Sequence, residues 1–257
     1  MNKTELFREL HHGAQPLVLP NAWDFGSAAV LAAEGFPAIG TTSLGVAVAA
    51  GLPDGTGVTA AATMTLARLL ARLPVPVTVD IEGGFSESPA AVGEYAAELA
   101  ELGIAGINLE DGRAEGTLAE PDHQAELIAA IKDRVPELFL NARVDTYWVQ
   151  DDIDRTLARA ERYTAAGADG IFVPGLTDPD GIARLVDAIA LPVNILYSPT
   201  GPSIAELGAL GVRRVSTGSL LYRTALAVAV DTARAVREDT PVPHAAPPYT
   251  EIQALTD

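Results

Sequence analysis

At 257 residues, with 48% hydrophobic and 20% charged residues, the chain is long enough for one sizeable barrel domain and too apolar to be disordered. A formal charge of −17 makes nucleic acid and anionic membranes poor partners. The absence of cysteine removes disulfides, thiolate nucleophiles, cysteine-bound zinc and iron–sulfur clusters together.

The chain opens on MNKTELFRELHHG, a polar stretch that reads as a short helix and lacks the apolar core of a signal peptide. No later run approaches the ~18 apolar residues needed to span a bilayer, so the cytoplasm is the expected compartment. Short apolar runs at 17–20, 38–42, 77–81, 106–110, 138–143, 170–173, 193–197 and 213–217 have strand length, and several are rich in Val and Ile. Between them lie segments with helical periodicity, among them 26–34, 90–102 and 152–166. Ser88-Pro89 and Asp178-Pro179 each place a cap residue before a first-turn proline, and Ser203 with Glu206 reads as a capping box. Gly35, Gly103 and Gly167 stand where helices should stop. About eight βα units in succession predict a single (β/α)₈ TIM barrel over residues 1–257. A doubly wound sheet is the alternative, but no Gly-x-Gly-x-x-Gly follows a strand. The last helix, about 218–237, is apolar on all sides. Either a second subunit buries it, or it tucks beneath the proline-rich residues 241–248.

In such barrels the chemistry sits at the C-terminal ends of the strands. The second strand is followed by Thr42, Ser43, Leu44 and Gly45, and then by Asp54 in a Pro-Asp-Gly turn. The third ends in Asp80 and Glu82, the fourth in Glu110 and Asp111, the fifth in Asn141, Arg143 and Asp145. The only lysines, Lys3 and Lys132, lie in predicted helices, which argues against Schiff-base and pyridoxal chemistry. The four histidines also avoid strand ends, so an oxygen site for Mg²⁺ or Mn²⁺ is favoured over zinc or iron. Asp80 and Glu82, two apart on a strand, should face the same way, with Glu110 one barrel step away. Three converging acids need a cation. The plainer reading of Asp80 as a helix cap is weakened because Ser88 already fills that role. Arg143 either neutralises those acids or clamps a substrate carboxylate with its planar fork. Asp54 is by default a turn residue, and Asp24 an ordinary helix cap. Thr217-Gly218-Ser219 after the last strand is a weak phosphate-site signal.

Five motifs in this order, each at a strand end, resemble the isocitrate lyase/phosphoenolpyruvate mutase superfamily: Pro20-Asn-Ala-Trp-Asp24, Gly51-Leu-Pro-Asp-Gly55, Val79-Asp-Ile-Glu82, Gly106-Ile-Asn-Leu-Glu-Asp111 and Asn141-Ala-Arg143. The resemblance runs over most of the chain. It implies a barrel whose C-terminal helix is swapped between subunits of a homodimer or homotetramer. It also implies Mg²⁺ (or Mn²⁺) held by Asp80, Glu82 and Glu110, some of them through water. Thr42, Ser43 and Leu44 would bind the carboxylate and keto oxygens of a 2-oxo acid, with Trp23 and Asp80 also lining the substrate. Arg143 would steady the substrate or its enolate, and Asp54 would lie near metal and substrate, with Asp54, Glu110 and Arg143 as the catalytic set.

The departures narrow the activity. The Lys-Lys-Cys-Gly-His signature of isocitrate and methylisocitrate lyases is absent, and the loop at 111–121 is short. The Lys and Asn that mutases use in that loop are also missing. Glu82 stands where many members have Asp. The expected function is a Mg²⁺-dependent carbon–carbon lyase or decarboxylase of a small, oxaloacetate-like 2-oxo acid or dicarboxylate. The alternatives are phosphorus–carbon chemistry on a phosphonopyruvate-type substrate, or a binding protein without turnover. No general acid is evident in the loop, and Arg113 is a candidate to hold water there.

Overall fold

The computed structural model describes residues 2–256. Its main sheet runs β1 (Leu17–Leu19), β2 (Asn21–Ala22), β3 (Ile39–Thr41), β4 (Val77–Asp80) and β5 (Gly106–Glu110). After a small hairpin, β6 (Gly112–Arg113) and β7 (Thr117–Leu118), it continues with β8 (Phe139–Arg143), β9 (Gly170–Val173), β10 (Val193–Leu196) and β11 (Arg214–Ser216). Neighbouring strands are all parallel, in the order β1-β11-β10-β9-β8-β5-β4-β3-β2. The two ends of that order are consecutive in the chain, so β1 and β2 act as one stave and the sheet curls into a nearly closed TIM-like barrel. Pro20 lies between them. It has no N–H to give, so the stave changes partner there, with the Pro20 carbonyl accepting from Gly40 at 2.9 Å.

Asn21 stitches this seam. Its Oδ1 accepts from the backbone N–H of Thr217 (3.0 Å) and Gly218 (2.9 Å), while its Nδ2 donates to the carbonyl of Thr41 (2.7 Å). Two N–H groups of the Thr217-Gly218-Ser219 turn, those of Thr217 and Gly218, are thus already engaged by Asn21 and are not free for a phosphate.

Eight strands of the main sheet fall within a residue or two of their predicted runs, because a stave buried on both faces is a short, uninterrupted apolar segment, while β2, β6 and β7 have no predicted run. Helices α2 (Phe25–Ala33), α5 (Pro89–Glu101), α8 (Thr156–Ala165), α9 (Pro179–Ala188) and α10 (Ile204–Ala209) follow the expected signals. Asp24 and Asp178 accept from the third residue of their helices, and Ser203 and Glu206 form the capping box. Ser88 stands before Pro89 but makes no capping bond with its side chain. Gly35, Gly103 and Gly167 all have φ near +90 to +103°, the left-handed conformation that ends a helix.

The N-terminal end of the barrel is closed by Lys3–Leu10. Phe7 meets Phe139 edge-on at 5.3 Å, and the His11 ring stacks on Phe139 at 4.3 Å. Gly106 makes room for this plug, since a Cβ there would sit 2.8 Å from Phe7 Cε1. Lys132 pairs with Asp169 and Lys3 donates to the carbonyls of Ala71 and Leu73, so neither lysine reaches the opposite, C-terminal mouth.

The helix Leu220–Arg237 has only Tyr222 and Ala235 buried, while Leu226 and Val230 remain about half exposed at 48% and 55%. It is not tucked under residues 241–248, which are exposed. No helix among the described residues is long and apolar enough to cross a membrane.

Candidate active site

The ends of the staves surround a cavity of about 400 Å³. Strand register decides who meets whom. Asp80 lies beside Asn108, Asn108 beside Asn141, and Glu110 directly opposite Arg143. Arg143 is the hub. Its Nη1 is 2.5 Å from Glu110 Oε2, its Nε donates to Asp145 Oδ1 at 2.6 Å, and its guanidinium lies 5.8 Å from the Trp148 ring and 5.9 Å from that of Phe172. Two aromatic neighbours and two carboxylate partners restrain the fork, an arrangement that lysine could not reproduce.

Three carboxylates, Asp80, Glu110 and Asp145, are buried around this one guanidinium. Burial pushes the Asp80 carboxyl up to about 6, against the pull of Arg143 and with the added repulsion of Asp54 and Glu82. Burial likewise raises Glu110 well above the carboxylate range, with Arg143 opposing and Asp145 and Asp80 adding to the rise. Burial alone would lower Arg143, but Glu110, Asp145 and Asp80 outweigh it and hold the guanidinium firmly charged. The site therefore carries more acid than its own cation can neutralise.

Thr42, Ser43, Leu44 and Asp54 all line the cavity, as expected. Ser43 and Leu44 open α3 (Ser43–Ala49), and the first N–H groups of a helix have no acceptor within it. Glu82 departs from the expected geometry. β4 ends at Asp80, and Glu82 adopts a left-handed backbone (φ 49°), so the two-residue alternation is broken and the pair does not share a face. The Glu82 carboxylate accepts from the Gly57 N–H at 3.0 Å and from the Thr59 hydroxyl, holding the loop that carries Asp54. Trp23 is not brought to the cavity. Its ring packs edge-on against Tyr222 at 5.2 Å and borders outer grooves near α2.

The residues 112–118 form the β6–β7 hairpin over the cavity rather than an irregular loop. Arg113 anchors it by donating to the carbonyls of Glu110 and Gly112, both at 2.9 Å, and to Gln124 at 3.1 Å. It is therefore a strut, not a free holder of water. Asp111 is fully buried beneath the hairpin and accepts from Tyr163 (2.7 Å), Arg159 (3.2 Å) and the Asp145 N–H (2.7 Å).

Sequence reasoning missed three neighbours. Asp145 was visible at a strand end but unassigned. Trp148, on the short helix Thr146–Val149, has no periodic signal to mark it. Arg214, wholly buried inside the barrel, donates from Nε to Ser216 (3.0 Å) and from Nη2 to Asn108 (3.3 Å), while its Nη1 has no partner. Burial lowers its pKa to about 9, and the charge of Asp80 offsets part of that.

A divalent cation fits this donor set in one particular way. Among the described residues, no group of three or more His, Cys, Asp or Glu is gathered as a ready-made cage. Asp80 Oδ1 accepts from the Glu82 N–H at 3.1 Å, and its other oxygen makes no hydrogen bond among the described residues. Glu110 shares its charge with Arg143. An all-oxygen site of one or two carboxylates and retained water suits Mg²⁺ or Mn²⁺.

The phosphoenolpyruvate phosphomutase family profile matches residues 7–237. The chain belongs to that family. An uncharacterized Mycobacterium tuberculosis protein, Rv1998c, is 51% identical over 96% of this chain and 95% of its own. The 2-methylisocitrate lyase of Bacillus subtilis is 34% identical over 73% of this chain and 64% of its own. The solved phosphoenolpyruvate phosphomutase of Streptomyces platensis superposes with a TM-score of 0.88 at 24% identity, covering 99% of this chain and 95% of the other, a likeness of fold. The matched span, residues 7–237, contains Asp54, Asp80, Glu110 and Arg143.

Proposed function

We propose that the protein is a Mg²⁺-dependent carbon–carbon lyase or decarboxylase of a small 2-oxo acid resembling oxaloacetate, with Mn²⁺ as the substitute ion. The observation that supports it most is the buried set of Asp80, Glu110 and Asp145 around Arg143 at the strand ends. Asp80 and Glu110 would hold the ion, Asp80 through the oxygen that makes no protein hydrogen bond, with Asp54 nearby on the loop that Glu82 holds. When bound, the ion supplies positive charge to the keto and carboxylate oxygens of the substrate.

The chain's own residues account for the rest. The first turn of α3, at Ser43 and Leu44 beside Thr42, offers N–H groups to a carboxylate. When the bond beyond C3 breaks, its electrons move toward the keto oxygen, and carbon dioxide or a carbonyl fragment leaves. Arg143, held by Glu110 and Asp145 beside the two rings, stabilises the enolate oxygen. A proton then returns to C3. The hairpin 112–118 covers the mouth and limits bulk water, and Asp54 is the cavity-lining acid placed to handle a proton through water. The missing lysine and asparagine of this hairpin count against phosphorus–carbon chemistry.

The test is a 2-oxo acid panel assayed with Mg²⁺ and with EDTA. Pyruvate should form from oxaloacetate above the Mg²⁺-only blank and vanish with EDTA. Asp80→Ala should lose both activity and the rise in Tm that Mg²⁺ gives the wild type. An unchanged Mg²⁺ increment in that variant would remove Asp80 from the metal site. The half-exposed apolar helix Leu220–Arg237 supports a homodimer or homotetramer. Sedimentation as a monomer at micromolar concentration would contradict this.

A further inference from the structure

The cavity has two unlike halves. Staves β4, β5 and β8 give it charge. The other side, from the ends of β9 and β10 and the helix Thr146–Val149, is walled by Trp148, Val149, Phe172, Pro174 and Leu196, and the charge that borders it is Arg143, near the Trp148 and Phe172 rings and already paired with Glu110 and Asp145. Trp148 is 57% exposed, a large ring left open at the rim of a polar site. Arg143 lies 5.8 Å from its ring centre, and among the described residues more than half of the residue stays uncovered.

The cation inventory is short. Among the described residues, Arg143 and Arg113 are the only basic side chains lining the cavity. Arg143 already serves Glu110 and Asp145, and Arg113 is bound to the hairpin carbonyls and Gln124. Against them stand Asp54, Asp80, Glu110, Glu115 and Asp145. A ligand needs the metal and Arg143 for its 2-oxo acid head. A second carboxylate at the far end would meet no free cation there, only the uncharged wall, and would lose its hydration without a partner.

We infer that the far arm of the substrate is an uncharged alkyl or aryl group lying against Trp148, Phe172, Pro174 and Leu196. The inference rests on the 2-oxo acid reading and narrows it: the head is oxaloacetate-like, and the arm is apolar. Trp148 is then the residue that sets the preference. Burying a few methylene groups against this wall favours the apolar arm by about 0.8 kcal/mol for each, or roughly fourfold.

The experiment compares ligands matched in length and differing in charge at the tip. Binding of 2-oxohexanoate, 2-oxoadipate and oxalate is measured by calorimetry in Mg²⁺ for the wild type, Trp148→Ala and Trp148→Arg. The wild type should bind 2-oxohexanoate at least about 10-fold more tightly than 2-oxoadipate, because only the latter must desolvate an unpaired tip carboxylate. Trp148→Ala should bring the two toward parity, and Trp148→Arg should reverse the order by giving the tip carboxylate a partner. A wild type that binds 2-oxoadipate as tightly as 2-oxohexanoate overturns the inference. So does a preference that neither variant moves. Oxalate has the head and no arm, so its failure to bind the wild type would overturn the 2-oxo acid reading itself, whereas oxalate binding with the wrong tip preference overturns only the apolar arm.

Discussion

At the N-terminal end of the barrel, Phe7, His11 and Phe139 fill the ring with stacked and edge-on aromatic surface, and the charged groups stay at the margin, where Asp169 ties Arg8 and Lys132. At the C-terminal end, some of the same staves converge on Asp80, Glu110, Arg143 and Asp145, and burial there works against ionisation. Phe139 and Arg143 are the two ends of one strand. One end of that strand adds to stability through area removed from water. The other gathers like charges that destabilise the fold and make a cation and an anionic ligand welcome. Damage at the two ends should therefore read out in different assays.

The largest effect belongs to the plug. Phe7 is fully buried and has Gly106 shaped around it. Phe7→Ala should lower stability by about 3–5 kcal/mol, as large-to-small aromatic changes in cores do. Denaturant melts would show it, while ligand affinity at the mouth stays within about twofold at temperatures where the variant is folded. A fall in ligand affinity matching the loss of stability would mean that the two ends are not separable.

His11 gives the plug a pH signature. Burial, with help from Arg214, lowers its pKa to about 3. The neutral ring donates from Nδ1 to the Phe7 carbonyl at 2.7 Å, which leaves Nε2 as the unpartnered acceptor. The folded value lies below the unfolded one near 6.5, so the unfolded chain binds the extra proton. His11 therefore contributes stability that is present above the unfolded pKa and lost as pH falls below it. From pH 7 to pH 5 this loss is about 2 kcal/mol. His11→Asn keeps a donor near the same place without the titration. The wild-type-minus-variant difference should slope through this window, and a flat difference would show that His11 does not titrate on unfolding.

The smallest effect in free energy is the one that touches chemistry most directly. Arg143→Lys keeps the charge but loses the fork and the flat face between Trp148 and Phe172. It should lose at least about 10-fold in kcat/KM, with kcat falling too. Near-wild-type kcat/KM in the folded, metal-loaded variant would leave Arg143 as a neutraliser of Glu110 and nothing more.

The staves were legible because most are short apolar runs closed by a polar residue or proline, and the acids were legible because Asp or Glu at the end of such a run has few other uses. Trp23 and Glu82 show where this reading stops. The motif around Trp23 was recognised, but the direction of its ring depends on packing against Tyr222, some 200 residues away in the chain. Glu82 was placed by a strand's alternation that ends two residues earlier, at a left-handed bend no pattern of side chains announces. Arg213 and Arg214 are the sharpest instance. One is exposed and reaches the Gly13 carbonyl, and the other is wholly buried. A shift of one residue in register would exchange them.

Arg214 also ties the history of the site to the solidity of the molecule. It is a guanidinium sealed inside the barrel with one nitrogen unpartnered, and the charge of Asp80 offsets part of the cost of burying it. Removing one member of a buried pair of charges is strongly destabilising, because the other is left without compensation. A descendant of this protein that abandoned its reaction would still be under pressure to keep Asp80, unless Arg214 were replaced first. An acid at this position in a silent relative would then testify to the barrel's interior, and the order in which the two residues disappear along a lineage would record whether the chemistry or the architecture was surrendered first.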